Sequence, residues 1–300
     1  MAAVLEAAVV APLGYIERQH ERPYDYACPP PQGVAWNNYR SDARPVVIAD
    51  GRRTEVAPAI GREGFMLVNA PSAVSDFGDE AAIASVYYAQ VAELARAAVG
   101  GSAAYVFDHL VRRREAGPAL TFGRSVSGAR PSANGRVHND YTEMSGPRRM
   151  SQVLESHPHP NPPPEGEGTA FLLPPRGEGR DGGGFNRYAI VNVWRPLEGP
   201  VLDAPLALCD ARSVSVSDLV TSDVHYAART GEIYLVAHSP SHRWLYFPEM
   251  QPAEALVFKQ YDSDVRAPRF VPHAAFDHPD TPAEAPLRES IEARVLVVFA

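Results

Sequence analysis

Tyr188-Ala-Ile-Val-Asn-Val-Trp194 is a run of β-branched and aromatic residues that no amphipathic helix would carry in this order. Working outward, runs of the same kind recur at Leu206–Cys209, Glu232–Ala237, Trp244–Phe247, Ala255–Phe258 and Glu292–Phe299. Pro, Gly and Asp clusters separate them at short intervals, so from about residue 136 onward the pattern reads as almost all strand. That punctuation belongs to a sandwich or barrel and excludes alternating βαβ units. The chain therefore reads as mainly β with a few helices.

Towards the N-terminus, Pro45–Ile48 and Gly64–Val68 also read as strands, with turn signals at Asp50-Gly51 and Gly61. A helix is expected over roughly 79–99, because Ile83, Val86, Tyr87, Val91, Leu94 and Ala98 share one helical face. Asp76 or Asp79 caps its start and Gly100-Gly101 ends it. Ala103–Phe107 then reads as a strand paired back toward the first strands. Residues 1–130 are expected to form an α+β extension, and 131–300 the barrel on which it packs. One segment breaks the pattern: between Ser156 and Gly184, seven of 29 residues are Pro and seven are Gly. It contains an echo, Pro163-Pro-Glu-Gly-Glu-Gly168 and Pro174-Pro-Arg-Gly-Glu-Gly179. Such composition buries too little apolar area to offset its ordering entropy, and 156–184 reads as a disordered insertion. His157 and His159 within it read as loop residues rather than a metal tract.

A net charge of −8 without a groove-sized Lys/Arg cluster argues against nucleic-acid binding. Arg112-Arg113-Arg114 is the one tight basic run and reads as a solvated edge. Two cysteines make no disulfide framework, and Cys209 sits in an apolar run as a small buried hydrophobe. The apolar start, Met1–Ile16, carries Glu6, lacks a basic flank and is too short to span a bilayer. A cytoplasmic location without a membrane partner is the expectation.

The sharpest chemical signal is Val137-His138-Asn139-Asp140. Residues two apart on a strand point to one face, so the His138 imidazole and the Asp140 carboxylate converge. A distant histidine would complete a 2-His-1-carboxylate facial triad, with three positions of an octahedral iron left open. His273 and His242 are the candidates for that third ligand; His238 and His278 are weaker. His273 is preferred because Arg288-x-Ser290 lies 15 residues beyond it and offers a guanidinium and a hydroxyl on one strand face. The guanidinium fork suits a carboxylate bidentately. Arg294 and Lys259 are alternative anchors. Tyr141, Asn192 and Trp194 are candidate pocket residues, Trp194 with core packing as the equal alternative, and Asp210 with Arg212 reads as a structural ion pair.

Several motifs together carry a family resemblance: Val137-His-Asn-Asp-Tyr-Thr142, Val191-Asn-Val-Trp-Arg-Pro196, Pro205-Leu-Ala-Leu-Cys-Asp210, His242-Arg-Trp244, Tyr261-Asp-Ser263, Pro272-His-Ala-Ala-Phe276 and Arg288-Glu-Ser-Ile-Glu292. In these the chain resembles the hydroxylase/desaturase family that groups the cephamycin methoxylation component with gibberellin-desaturase-like and aspergillic-acid-pathway proteins. The likeness covers nearly the whole chain outside 156–184. It implies a double-stranded β-helix, a jelly-roll or cupin-like barrel. It also implies an oxidoreductase of secondary metabolism that uses Fe(II), 2-oxoglutarate and O₂ on a small molecule, by hydroxylation or desaturation. The rival readings are a ligand-binding barrel, non-catalytic or zinc-containing, and a methyltransferase-associated protein. The latter finds no Gly-x-Gly-x-x-Gly loop after an early strand.

Overall fold

In the computed structural model, residues 8–114, 135–157 and 186–300 are described. Most of the Pro/Gly-rich segment 156–184, including His159, lies outside them. Two sheets make up the described residues. The larger has nine strands in the order β1-β3-β11-β8-β13-β6-β10-β9-β2. Here β1 is Ala8–Ile16, β2 Tyr24–Tyr26, β3 Ser41–Asp50, β6 His138–Asn139, β8 Leu206–Cys209, β9 Leu219–His225, β10 Thr230–Val236, β11 Trp244–Tyr246 and β13 His273–Ala275. The smaller has five, β4-β12-β7-β14-β5. Its strands are β4 Phe65–Asn69, β5 Ala103–Arg113, β7 Arg187–Pro196, β12 Glu254–Asp262 and β14 Glu289–Phe299. Both sheets curl, and almost every neighbouring pair is antiparallel. This is a double-stranded β-helix, and strands from both sides of residue 130 share each sheet.

Two-residue alternation along β14 explains how the interior receives polar groups. Ile291, Ala293, Val295 and Val297 form a core with Ile83, Tyr87, Val91 and Ala95 of the helical segment outside the sheet. Burying each larger side chain there is worth about 1.5–3 kcal/mol. The intervening residues, Ser290, Glu292, Arg294, Leu296 and Val298, take the opposite face, between the two sheets.

The helical segment begins at α1 (Glu80–Ala82), where the Asp79 carboxylate accepts from the Ala81 and Ala82 amides. A π-helical turn, Ile83–Tyr87, precedes α2 (Tyr88–Val99). That wider turn gives the buried residues Ile83, Tyr87, Val91 and Ala95 a spacing of four. Val86, expected on the buried face, is consequently 39% exposed. Gly100 closes α2 in the left-handed region, at φ 72°.

Three expectations need correction. First, among the described residues β5 pairs only with β14 and not with the strands of residues 45–68, which lie in different sheets, β3 in the larger and β4 at the far edge of the smaller. Second, the region after 136 contains a helix, α3 (Ser145–Ser156). Its Gly146-Pro147 start resembles a turn, but proline is tolerated in a first helical turn, and just before it Thr142 Oγ1 accepts from the Ser145 amide at 3.0 Å. Third, the basic run is not a solvated edge. Strand alternation leaves Arg113 61% exposed on Glu289, whereas Arg114 is half-buried against Asp203 and Asp277. Arg112 shares the inner face with its register partner Ser290.

Candidate metal centre

β6 and β13 are neighbours in the larger sheet, and His138 and His273 are directly opposed in register. Their rings lie 4.3 Å apart between centroids. Asp140 follows β6 and turns to the same side, with Oδ1 3.5 Å from His138 Nε2. One ligand atom from each of His138, Asp140 and His273 falls within 4.8 Å of the others. Among the described residues no other group of His, Cys, Asp and Glu has this arrangement.

Backbone carbonyls orient both imidazoles. His138 Nδ1 donates to the Arg136 carbonyl at 2.8 Å, and His273 Nδ1 lies 3.3 Å from the Val271 carbonyl. A proton on Nδ1 leaves the Nε2 lone pair as the donor for a metal, the arrangement usual for histidine ligands. Gln260 supports both strands. Its Oε1 accepts from the Asp140 amide at 2.7 Å, and its Nε2 donates to the Val271 carbonyl at 3.1 Å. Asn139, wholly buried, donates to the Tyr141 and Gln260 carbonyls and accepts from the Val271 amide.

The electrostatics favour a cation. Burial, then the neighbouring His273, pushes His138 well below the ordinary histidine value, so it stays neutral and able to ligate. Burial works against the Asp140 carboxylate, but the Arg294 charge, with the hydrogen bond from Asn192, outweighs it and holds Asp140 well below the usual carboxylate range. Two imidazoles and one carboxylate with ordered outer partners form a donor set that fits Fe(II).

Comparison with known proteins bears on this site. The chain matches the family described as an oxidoreductase/YMDC permease-like domain over residues 13–165 and 172–298. Hydroxylase/desaturase efuI of Hormonema carpetanum is 33% identical over 280 residues, 89% of this chain and 87% of that protein. The chain belongs to this oxidoreductase family. The Fe(II)/2-oxoglutarate-dependent dioxygenase nvfI of Aspergillus novofumigatus is 27% identical, covering 91% of this chain and 89% of its own length. Hydroxylase/desaturase asaB of Aspergillus flavus is 43% identical over 129 residues, 38% of this chain and 56% of that one. The fold matches the solved iron and alpha-ketoglutarate-dependent endoperoxidase NvfI with a TM-score of 0.76 at 23% identity, covering 98% of this chain and 99% of that one. No helix among the described residues is long and apolar enough to cross a membrane.

The other candidate residues of this family member separate clearly. Arg288 is 5% exposed just before β14, with Nη1 donating to the Ala204 carbonyl at 2.6 Å. Its guanidinium lies 5.5 Å over the Trp194 ring, and its buried Nε has no hydrogen-bond partner among the described residues. Burial, then the charge of Arg112, pushes the guanidinium down to about 9. Ser290, 1% exposed, follows on the same face. A buried guanidinium with an orphaned N–H fits an incoming carboxylate.

Arg294 is differently occupied. Its Nε donates to Asp140 Oδ2 at 3.0 Å, Nη1 to Asp108 at 2.9 Å and Nη2 to Glu292 at 2.8 Å. Lys259 is 2% exposed and is held by Asp262 at 2.6 Å, where Arg187 also docks. His242 stands apart, stacked on Tyr15, with Nδ1 3.2 Å from the Tyr15 hydroxyl and Nε2 3.3 Å from Asp218. His278 meets the Tyr246 hydroxyl at 3.1 Å, and His238 packs edge-on against Tyr15.

Asn192 donates from Nδ2 to Asp140 Oδ2 at 2.9 Å. Trp194, on the same strand face, packs with Leu206, Leu208, Leu256 and Phe258 while carrying Arg288. Tyr141 is buried beside Tyr105 and Ile190, edge-on to Phe107. Arg195 points to the helix, 3.2 Å from the Tyr87 hydroxyl. Asp210 pairs with Arg212 at 2.8 Å and with Arg243. Cys209 is wholly buried, its thiol pushed up to about 12 by burial. Sequence reasoning missed Gln260, Asn139, Glu292 and Asp108 as supports of the site. For Glu292 and Asp108 the signal was present, as both fall at even spacing on the faces that carry Arg288 and Arg112.

Proposed function

We propose that His138, Asp140 and His273 hold one Fe(II), that Arg288 and Ser290 anchor 2-oxoglutarate, and that the protein hydroxylates or desaturates a small organic molecule of secondary metabolism with O₂. The observation that carries this reading is the convergence of the two imidazoles and one carboxylate from adjacent elements inside a double-stranded β-helix. Bound iron with 2-oxoglutarate would supply oxidative decarboxylation coupled to dioxygen activation. The protein's own contribution is geometric and electrostatic. The Arg136 and Val271 carbonyls orient the imidazoles, while Gln260 and Asn139 hold the loop after β6. Arg288 neutralises a carboxylate in a pocket walled by Trp194, and Tyr141 and Asn192 line the approach to the carboxylate ligand.

Both free cysteines support placing the chain in a reducing cytoplasm. The composition of 156–184 supports treating that segment as an addition to the barrel rather than a part of it. The test of the function is anaerobic iron titration of the purified protein, followed by succinate formation when 2-oxoglutarate and air are supplied. One equivalent of iron and 2-oxoglutarate-dependent succinate are expected. A protein that takes zinc but neither iron nor 2-oxoglutarate is instead a ligand-binding barrel.

A further inference from the structure

We propose that Arg294, together with Asn192, is a positioning residue that occupies one oxygen of Asp140, so that the carboxylate offers only its other oxygen to a bound metal. The inference rests on the metal reading above and deepens it. Asp140 Oδ2 accepts two hydrogen bonds, from Asn192 Nδ2 at 2.9 Å and Arg294 Nε at 3.0 Å. Oδ1 is the oxygen turned to the histidines, 3.5 Å from His138 Nε2. The two oxygens of one carboxylate thus have different work.

Register explains why the arrangement is stiff. Asn192 on β7, Arg294 on β14 and Asp108 on β5 are direct cross-strand neighbours in the five-stranded sheet. They form one row on its inner face, and the row reaches across to Asp140, just after β6 of the other sheet. Each guanidinium nitrogen of Arg294 has its own carboxylate: Nε on Asp140, Nη1 on Asp108, Nη2 on Glu292. A planar fork held at three points cannot rotate without breaking a charge-assisted bond. Just beyond the row, the β14–β5 register shifts between Arg294 and Val295, a bulge of the kind that re-aims side chains beside functional sites. Every guanidinium nitrogen of Arg294 is thus engaged by a carboxylate of this chain, whereas Arg288 keeps an unpartnered Nε, which separates the two roles.

The chemical consequence follows from counting positions. Three protein donors leave three of six positions on an octahedral metal. A carboxylate that swings to present both oxygens takes one of those three. Two hydrogen bonds on Oδ2 oppose that swing and preserve the vacancies for co-substrate and dioxygen.

The experiment uses Co(II) as the probe in the full-length protein, with visible absorption reporting coordination and 2-oxoglutarate added afterwards. Arg294→Gln and Asn192→Ala should still take up Co(II), with visible bands altered from wild type as the second carboxylate oxygen takes a position otherwise left open. Each should bind 2-oxoglutarate at least tenfold more weakly than wild type. Arg294→Lys, which keeps a charged donor, should restore most of the wild-type spectrum. Spectra and 2-oxoglutarate affinity unchanged in both Arg294→Gln and Asn192→Ala would make Arg294 a mere tie between sheets and overturn the proposal. If Arg294→Gln does not fold, Asn192→Ala decides, since it removes a single bond: an unchanged spectrum overturns the idea. Wild-type protein that takes up no Co(II) would instead refute the metal reading itself.

Discussion

Replacing Arg288 with methionine should make the protein more stable and unable to use 2-oxoglutarate. Arg288 is 5% exposed, and among the described residues its guanidinium has one hydrogen bond, to the Ala204 carbonyl, and leaves Nε unpartnered. Burial and Arg112 push it down to about 9. A guanidinium keeps its proton in a protein, so this burial cost is carried by the folded state without a co-substrate. Methionine of similar length removes the charge and the orphaned donor. Set against this is the lost bond to Ala204, about 1 kcal/mol, and part of the stacking on Trp194. Exchanges of buried ionic groups for apolar ones commonly stabilise by about 1–4 kcal/mol, and a net gain of about 1–3 kcal/mol is expected here. Thermal unfolding without 2-oxoglutarate should then show a Tm higher by a few degrees. Binding should move the other way. A co-substrate carboxylate left without its buried partner costs about 3–5 kcal/mol, which is roughly two to four orders of magnitude in Kd. Isothermal titration with iron-loaded protein measures this, and iron content should be unchanged. An unaltered Kd refutes Arg288 as the anchor. A lower Tm in the unliganded variant refutes the charge-strain argument, whatever happens to binding.

His138→Ala, Asp140→Ala and His273→Ala should each lose stoichiometric iron and all succinate production. His242→Ala should keep its metal and lose about 1–3 kcal/mol of stability, because it breaks only the contacts with Tyr15 and Asp218. Metal-free protein should lose stability as pH falls below about 6.5, the ordinary histidine value. His138 resists protonation in the fold while the unfolded chain takes the proton, so its contribution is complete above that value and declines below it. A Tm that is flat or rising from pH 7 to pH 5 in wild type, with the same profile in His138→Gln, would contradict this. Replacing residues 156–184 with a short Gly/Ser bridge should leave Tm and iron content near wild type, and a deletion that cannot fold would refute the reading of that segment as an addition.

The sequence by itself determined the strand-rich architecture, since β-branched runs and turn clusters are local properties of the chain. His138 and Asp140 were legible from their two-residue spacing, although Asp140 lies just past the end of β6 and reaches the same side through the turn there. The motif set also named the family before any geometry was known. What required tertiary structure was every choice among residues far apart in the chain. His273 and His242 both precede or begin short apolar strands, and only the pairing of β13 with β6 puts one imaginable ligand opposite His138 and leaves the other against Tyr15. Arg288, just before β14, and Arg294, within it, are only six residues apart. Their different roles arise from partners on other strands: Asp140, Asp108 and Glu292 consume Arg294, while Arg288 keeps a buried donor uncommitted. The run Arg112–Arg114 shows the same limit, because its solvent exposure depends on β14 and on Asp203 and Asp277, residues at distances no local window spans. Pattern follows from the chain's own stereochemistry, whereas the state of a buried charge is set by whichever distant groups the fold brings against it.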